Sequence, residues 1–305
     1  MEQVYVREIR RFSTYDGPGA RSVIHLKGCF MRCKWCSSPA TWQRDPEILI
    51  HTAKCIRCGA CADTCRTGAL TIQGDGARYD RKKCERCWAC VKVCRQAAVE
   101  KTGKIMTAEE AAGQLLKDQM FYEETGGGIT VSGGEPLMHP QFVCALLEIL
   151  GENGVHTAIE TTANLSWEKI KPAVGMAGLL MVDIKHMDSD IHERLTGSPN
   201  RLVLENLGKI KDMEKDIWIG YPCIPGMNDE QANREAMACF MNRLGLKKLR
   251  VFPYHRLGIA EYRGMGLLEH IAPLESIPYC SEEMLAEIRK DFRGCGIEAE
   301  IIGME

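Results

Sequence analysis

Blocks of apolar and polar residues along the chain predict strands that alternate with helices. The first buried strand is predicted at 22–27, where β-branched and apolar residues run together. Further strands are predicted at 128–131, 155–160, 179–184, 217–221, 248–252 and 297–302. The clearest helices are one capped by Thr107 and Glu110, one over 140–150 closed by Gly151, one capped by Ser166 and one over 281–293.

This alternation predicts an α/β fold in which about six β/α units surround a parallel sheet with right-handed crossovers. The segment 179–184 has few polar residues, as expected of a strand covered on both faces. Polar residues that follow such strands should therefore gather at one edge of the sheet, where α/β barrels place their sites.

Composition narrows the class of protein. The 305 residues are 45% hydrophobic and 26% charged, with a net charge of −2, which is typical of a soluble globular protein and argues against a nucleic-acid or anionic-membrane partner. No apolar run is long enough for a membrane-spanning helix, and no apolar segment follows Arg7, Arg10 and Arg11 as in a signal peptide. Sixteen cysteines without an export signal favour metal or cluster binding over disulfides, and a reducing cytoplasm.

The first cysteine group, Cys29-x3-Cys33-x2-Cys36, directly follows the first predicted strand. A [4Fe–4S] cluster is normally held by four cysteines, so three on one loop leave one iron open for a small molecule. A zinc loop with a remote fourth ligand is the alternative interpretation.

The second cysteine group consists of two similar sets at an offset of 29 residues. This is the bacterial ferredoxin pattern, in which the fourth cysteine of each set binds the other cluster. It predicts Cys55, Cys58, Cys61 and Cys94 for cluster one, and Cys84, Cys87, Cys90 and Cys65 for cluster two. Arg66 and Arg95 stand where proline is usual, and C-x2-C-x2-C is too tight for an ordinary zinc ribbon.

Several polar residues after the predicted strands suit a zwitterionic ligand. Asp183 and Lys185 share one face, where Lys185 suits a carboxylate and Asp183 with Glu160 an ammonium, a hydroxyl or a cation. For Asp183 and Lys185, a simple ion pair is as good an interpretation as a ligand site. For Gly133 and Gly134, a plain turn is as good an interpretation as a close approach of the main chain to a ligand.

The cysteine loop with Trp35, together with Asp16-Gly-Pro-Gly19 before it, resembles the radical S-adenosylmethionine (SAM) superfamily, and within it the activating enzymes of glycyl radical enzymes. The resemblance implies a partial (β/α)6 TIM-type barrel, open on one side, with an inserted bacterial-ferredoxin-like domain. The implied division is 1–53 for the first part of the barrel, 54–100 for the insertion and 101–305 for the rest.

The resemblance also implies roles for individual residues. SAM would be contacted by Trp35, Cys36, Ser37, Gly133, Gly134, Glu135, Asp183, Ile184, Lys185 and His255. A monovalent cation beside SAM would be bound by Glu160, Thr161, Met181 and Asp183, although Asp is more typical at the first position. Asp16 and Gly17 would lie near the protein substrate, and Gly220 stands where relatives often have Arg.

The implied function is that of an oxidoreductase that cleaves SAM to a 5′-deoxyadenosyl radical and installs a glycyl radical in a partner enzyme. The implied cofactors are SAM and three [4Fe–4S] clusters, with flavodoxin or ferredoxin as the reductant. Two alternatives remain open. One is a radical SAM enzyme acting on a small molecule or peptide, and the other is a ferredoxin-like electron-transfer protein.

Overall fold

The structure is a computed structural model that describes residues 2–74 and 76–303. Its strands are β1 (Val4–Ser13), β2 (Arg21–Leu26), β3 (Ile48–Ile50), β4 (Leu70–Gln73), β5 (Gly76–Tyr79), β6 (Val99–Lys101), β7 (Lys104–Met106), β8 (Gly128–Gly133), β9 (Thr157–Thr161), β10 (Leu179–Asp183), β11 (Asp216–Cys223), β12 (Lys248–Pro253) and β13 (Glu298–Ile301).

The α-helices are α1 (Ala60–Asp63), α2 (Ala89–Val93), α3 (Ala108–Leu115), α4 (Gln119–Thr125), α5 (Pro140–Glu152), α6 (Trp167–Met176), α7 (Ser189–Thr196), α8 (Arg201–Lys211), α9 (Gln231–Leu244), α10 (Ile259–Gly264), α11 (Ile271–Ser276) and α12 (Glu282–Gly294). Short 3-10 helices cover Pro39–Thr41, Thr52–Lys54, Leu116–Asp118, Pro136–Met138 and Leu268–His270. Within the described residues, none of the helices has both the length and the apolar character needed to cross a bilayer.

Nine strands form one mixed sheet in the order β13-β12-β11-β10-β9-β8-β2-β1-β7. The strands from β13 to β2 run parallel, whereas β1 is antiparallel to both β2 and β7. Each step between successive parallel strands passes through at least one helix, which gives six β/α units before β13. The predicted α/β class is confirmed. The order ends at β13 and β7, so the sheet is open at one side, in keeping with a partial barrel.

Alternation along the strands separates a core face from a site face. In β10, Leu180 and Val182 lie in the main hydrophobic core, while Met181 and Asp183 point to the opposite face. The core fills the space between the sheet and helices α3, α5, α6, α8, α9 and α12. The opposite face is therefore the one available to a ligand.

The ends of four helices can be compared with the boundaries that the sequence predicts. The capping box at Thr107 and Glu110 is present, and Ser281 caps α12 by accepting from the Met284 amide at 3.2 Å. Ser166 occupies the N-cap position of α6 without a side-chain hydrogen bond. The prediction that α5 closes at Gly151 is wrong, because the helix continues to Glu152 and the left-handed residue is Gly154, with φ +70°.

The second cysteine group lies between β3 and β6, which pair antiparallel as a separate two-stranded sheet. Helices α1 and α2 and the β4–β5 hairpin fold this segment around its own small core. That core contains Ile48, Ile50, Leu70, Ala77 and Val99 besides the cysteines.

Asn206 of α8 offers a test of how the loop after β9 is held. Its buried Nδ2 donates to the carbonyls of Ala163 at 2.7 Å and Leu165 at 2.8 Å. We expect Asn206→Leu to lower the free energy of unfolding by about 1–3 kcal/mol, because the buried carbonyl of Ala163 and the partly buried carbonyl of Leu165 both lose their donor. Anaerobic thermal denaturation followed by circular dichroism measures this. The neighbouring, exposed Glu205→Leu is the control, and equal stability of the two variants would contradict the expectation.

Candidate functional site

A cavity of about 280 Å³ opens where the parallel strands end, beside the first cysteine loop. Carboxyl ends of parallel strands are the usual place for a site in α/β proteins. The predicted residues that line it are Cys29, Cys33, Trp35, Cys36, Ser37, Gly133, Gly134, Glu160, Thr161, Asp183, Lys185 and His255. Of the residues implied to lie near SAM, a cation or the protein substrate, those outside this lining are Asp16, Gly17, Glu135, Met181 and Ile184.

Main-chain hydrogen bonds fasten the cysteine loop to the last turn of α7. The amide of Arg32 donates to the carbonyl of Thr196 at 2.7 Å, and that of Lys34 donates to Leu195 at 2.9 Å. The loop is therefore fixed in the middle as well as at its ends, so its thiols have defined positions.

The three thiols of this loop are strongly perturbed by burial. Burial, with smaller contributions from neighbouring carboxylate and thiol groups, raises the pKa of Cys29 and of Cys33 to about 12, and it also raises the pKa of Cys36. The described residues that line the cavity include no cysteine other than these three. At neutral pH they bind as thiolates only to a centre that supplies positive charge.

In the described part of the chain, no group of three Cys, His, Asp or Glu side chains is placed to hold a single metal ion. In a [4Fe–4S] cluster each thiolate binds a different iron, so the thiols need not converge on one point. Three thiols around one cavity, with no fourth cysteine in its described lining, therefore fit such a cluster with one free iron.

Trp35, Cys36 and Ser37 form a wall that is held by the segment after β12. Trp35 lies in a second apolar core that includes Tyr262. The Tyr262 hydroxyl donates to the Cys36 carbonyl at 3.0 Å. A Cβ on Gly258 would lie 2.6 Å from the Ser37 carbonyl oxygen, so only glycine allows this contact.

Gly133 and Gly134 form a tight turn against the start of the cysteine loop. A Cβ on Gly133 would lie 2.4 Å from the Leu26 nitrogen, and one on Gly134 would lie 2.3 Å from the Gly28 carbonyl oxygen. The turn is joined to the same segment by a bond from the Glu135 amide to the Gly28 carbonyl at 2.8 Å. Main-chain groups of this turn are thus brought close to the cavity.

The carboxylate of Glu135 is fully buried and has only protein partners around it. It accepts from the hydroxyls of Thr161 at 2.6 Å and Thr162 at 2.7 Å, and from the amides of Thr162 at 2.9 Å and Leu137 at 3.0 Å. This side chain therefore joins the turn after β8 to the end of β9.

Asp183 and Lys185 form a partly buried ion pair, with Lys185 Nζ 2.9 Å from Asp183 Oδ2. Burial alone lowers the pKa of Lys185, but the negative charges of Asp183 and Cys33 outweigh it and raise that pKa. A Cβ on Gly220 would lie 2.0 Å from Asp183 Oδ1, so glycine makes room for this carboxylate. The side chain of Ile184 lies in the main core, as alternation requires.

The residues expected to bind a cation are engaged with protein partners. Glu160 accepts from the Ser132 hydroxyl at 2.5 Å, and burial, then Asp16 and Asp183, raise the pKa of Glu160 to about 7. The sulfur of Met181 lies 3.0 Å from Nη1 of Arg250. Two acidic side chains, Glu160 and Asp183, thus line the cavity, and the guanidinium of Arg250 lies behind that lining, against Met181.

Asp16 and Gly17 lie on a loop tied to the strands by buried Arg21. The Thr130 hydroxyl donates to the Asp16 carbonyl at 2.6 Å and accepts from Arg21 Nε at 2.7 Å. Gly17 has φ +124°, and a Cβ there would lie 2.9 Å from Arg21 Cδ. The loop is therefore held in one position beside the cavity residues.

His255 lines the cavity from the loop after β12. Burial lowers its pKa, so the ring is neutral at pH 7. Its Nδ1 accepts from the Leu257 amide at 3.4 Å, which leaves Nε2 as the donor.

In the second cysteine group, one set of thiols contains Cys55, Cys61 and Cys94. Burial, then the negative charges of Cys55 and Cys94, raise the pKa of Cys61. Cys58, on the same segment, is exposed. The structure therefore brings Cys94 from the second set to cysteines of the first.

The other thiols surround a small apolar cavity lined by Cys65, Cys84, Cys87 and Cys90. Burial, then charge on Cys84, Cys87 and Cys65, raises the pKa of Cys90 to about 11. Cys65 of the first set therefore lies beside three cysteines of the second set, while the cluster ligand sets themselves stay a prediction.

Two residues near the cavity were missed by the sequence analysis, His25 and Arg250. His25 lines the cavity, and its buried Nε2 has no hydrogen-bond partner among the described residues. Arg250 is only 4% exposed and reaches Met181. Strand alternation alone could have placed both on the site face, since each lies in a predicted strand.

Residues 23–236 match the radical SAM superfamily. The chain is 36% identical over 267 residues to the (2S)-3-sulfopropanediol dehydratase activating enzyme of Klebsiella oxytoca, covering 85% of this chain and 84% of that one. It is 34% identical over 301 residues to the choline trimethylamine-lyase activating enzyme of Oleidesulfovibrio alaskensis, covering 96% of each. The solved structure of Streptococcus suis SuiB bound to precursor peptide SuiA has a TM-score of 0.54 at 13% identity, covering 93% of this chain and 48% of that one, which shows the fold alone.

Gly220 allows the ion pair at the cavity to be tested directly. Gly220→Ala must displace the Asp183 carboxylate from Lys185, since the new Cβ would lie 2.0 Å from Oδ1. We expect SAM, the implied ligand, to bind at least about tenfold more weakly, because a hydrogen bond between charged groups contributes about 1.5–3 kcal/mol. Equilibrium dialysis of the iron-loaded protein measures this. Gly208→Ala, whose Cβ meets no atom within 4 Å, is the control, and equal affinities would contradict this role.

Proposed function

The chain belongs to the radical SAM superfamily and, within it, to the activating enzymes of glycyl radical enzymes, and from this premise we propose its reaction. It is an oxidoreductase that cleaves SAM to methionine and a 5′-deoxyadenosyl radical, which takes a hydrogen atom from a glycine of a partner enzyme. The observation that carries this proposal is the set of three thiols around one cavity, beside the ion pair of Asp183 and Lys185.

Cys29, Cys33 and Cys36 would hold three irons of a [4Fe–4S] cluster and leave the fourth for SAM. When bound and reduced, this cluster supplies the electron that breaks the sulfonium S–C5′ bond. The protein raises the pKa of the free thiols by burial, so the loop is suited to a positively charged centre and not to free thiolates.

The cavity residues would position SAM by matching its charges. Lys185 suits the methionyl carboxylate, and main-chain groups of Gly133 and Gly134 suit the methionyl ammonium. Nε2 of His255 is a neutral donor, and Trp35 and Ser37 form the adjoining wall. We propose that Cys36 also contacts SAM from this wall and that Asp183 acts through its ion pair with Lys185. Glu135 and Ile184 would contribute main-chain atoms only, because the Glu135 side chain is hydrogen-bonded within the protein and the Ile184 side chain lies in the core.

The segment 54–100 is proposed to be a ferredoxin-like insertion that divides the barrel into residues 1–53 and 101–305. The crossed grouping of its cysteines supports two further [4Fe–4S] clusters, one on Cys55, Cys58, Cys61 and Cys94 and the other on Cys65, Cys84, Cys87 and Cys90. Such clusters would pass electrons from a flavodoxin or ferredoxin to the first cluster.

The partner is proposed to be a glycyl radical enzyme, with the Asp16–Gly17 loop near the incoming glycine. The open side of the sheet supports this, since it leaves access for a protein segment. The relatives are named for a dehydratase and a lyase, so the partner is assigned here by class alone. Sixteen cysteines require a reducing compartment, which favours the cytoplasm.

The activity is tested with the iron-reconstituted protein under anaerobic conditions. We expect dithionite and SAM to give 5′-deoxyadenosine and, with a candidate glycyl radical enzyme, a glycyl doublet in its EPR spectrum. Cys29→Ala should abolish both signals because the cluster loses a ligand. Cys239→Ala, at an exposed cysteine on α9, is the matched control and should retain them.

The outcomes separate the alternatives. A Cys29→Ala protein that still forms 5′-deoxyadenosine would overturn the assignment of the first cluster. SAM cleavage without a radical on any candidate partner would favour a small-molecule or peptide substrate. A fully iron-loaded protein that leaves SAM intact would favour an electron-transfer protein.

The two further clusters are tested by iron content. Cys65→Ala and Cys94→Ala should each lower the iron of the reconstituted protein from about twelve to about eight atoms per chain, because each removes one ligand of one [4Fe–4S] cluster. Iron and sulfide analysis measures this, with Cys144→Ala as the control. Iron content that stays at the wild-type level in both variants would contradict the ligand sets.

A further inference from the structure

Acidic side chains gather at the cavity floor, where a further positive group would stabilise their charged forms. Asp16 and Asp183 both act on Glu160, whose carboxylate is buried. Buried negative charges are stable only when a positive group lies near them. In this fold the compensation could come from a bound monovalent cation or from a side chain.

The residues expected to bind such a cation are already partnered. The Thr161 hydroxyl donates to Glu135 at 2.6 Å and accepts from the Ala163 amide at 2.9 Å. Asp183 is paired with Lys185 at 2.9 Å. Glu160 accepts from Ser132, and the Met181 sulfur is contacted by Arg250. These side chains do not form an open site for a metal ion.

Arg250 brings a second positive group, besides Lys185, to this position. Its Nη1 lies 3.0 Å from the Met181 sulfur, and its Nη2 donates to the Tyr15 carbonyl, next to Asp16. The guanidinium carbon lies 4.9 Å from the Phe252 ring and 5.8 Å from the Trp218 ring, so aromatic faces hold it from the side. With 4% of its surface exposed, it carries its charge into a buried environment.

The neighbouring strand leaves space for this arrangement. Gly220 of β11 is paired in register with Arg250 of β12. A Cβ at Gly220 would lie 2.0 Å from Asp183 and 3.4 Å from Phe252, one of the two rings against Arg250. Glycine at position 220 therefore leaves room for Asp183 and for the ring that packs against Arg250 on the next strand.

We propose that the guanidinium of Arg250 takes the place of the monovalent cation, so this enzyme binds SAM and cleaves it without sodium or potassium. Arg250 is a positioning residue. It neutralises the acidic floor around Glu160 and Asp183, and it ties the Tyr15–Asp16 segment to that floor. The inference rests on the proposed function.

The first experiment is a salt series on the iron-loaded wild-type protein. SAM affinity by equilibrium dialysis, and 5′-deoxyadenosine formation, are measured in sodium, potassium and tetramethylammonium chloride at one ionic strength. We expect differences of less than about twofold among the three salts, because ionic strength and therefore screening are the same in each. A wild-type affinity that rises about tenfold or more in sodium or potassium overturns the proposal, since about 1.4 kcal/mol of binding would then depend on the ion.

The second experiment replaces the charge. Arg250→Met should bind SAM at least about tenfold more weakly in tetramethylammonium chloride, since a charged hydrogen bond contributes about 1.5–3 kcal/mol. Sodium or potassium should restore part of that affinity, whereas Arg250→Lys should remain independent of the salt. Arg243→Met, an exposed arginine on α9, is the control and should match the wild type.

Two further outcomes would decide against Arg250. An Arg250→Met protein that matches the wild type in all three salts shows that the charge is not needed. An Arg250→Met protein that is folded and weakened, but gains nothing from sodium or potassium, shows that Arg250 does not stand in for an ion. If Arg250→Met does not fold, the wild-type salt series decides alone. Wild-type protein that never cleaves SAM contradicts the proposed function, whereas salt-dependent cleavage contradicts only this inference.

Discussion

The buried carboxylate of Glu135 is the interaction on which the site depends. It accepts four hydrogen bonds from the turn after β8 and the loop after β9, and its own amide donates to Gly28 beside the cysteine loop. A fully buried carboxylate is tolerated only when its acceptors are satisfied, so these three segments must come together for the chain to fold. The cavity therefore forms as part of folding and does not wait for a ligand.

Strand alternation explains most of what the sequence could predict. The α/β class, the parallel strands and the face shared by Asp183 and Lys185 all follow from local patterns of apolar residues. The antiparallel strand β1 and the edge strand β7 were not predicted, because their pairing is decided by the rest of the sheet. The end of α5 was misplaced because a glycine near a helix terminus does not show which residue becomes left-handed.

Contacts between distant segments explain what could not be predicted. Arg250 donates a hydrogen bond to the carbonyl of Tyr15, which lies 235 residues away in the sequence, and no local sequence pattern predicts such a contact. Glu135 and Ile184 belong to recognisable motifs, yet their side chains are directed to a hydrogen-bond network and to the core. A motif identifies the segment near a ligand, but packing decides which atoms of that segment are free. The ligand sets of the second cysteine group stay a prediction that rests on the repeat itself.

The pairing of β3 with β6 has an evolutionary consequence. Ile50 and Val99 are direct partners in this short ladder, so the chain leaves the rest of the fold and returns to it at adjacent points. A short turn could join these two strands in place of everything between them. The whole intervening segment could therefore be gained, lost or exchanged as one genetic unit, without moving the cysteine loop or any parallel strand.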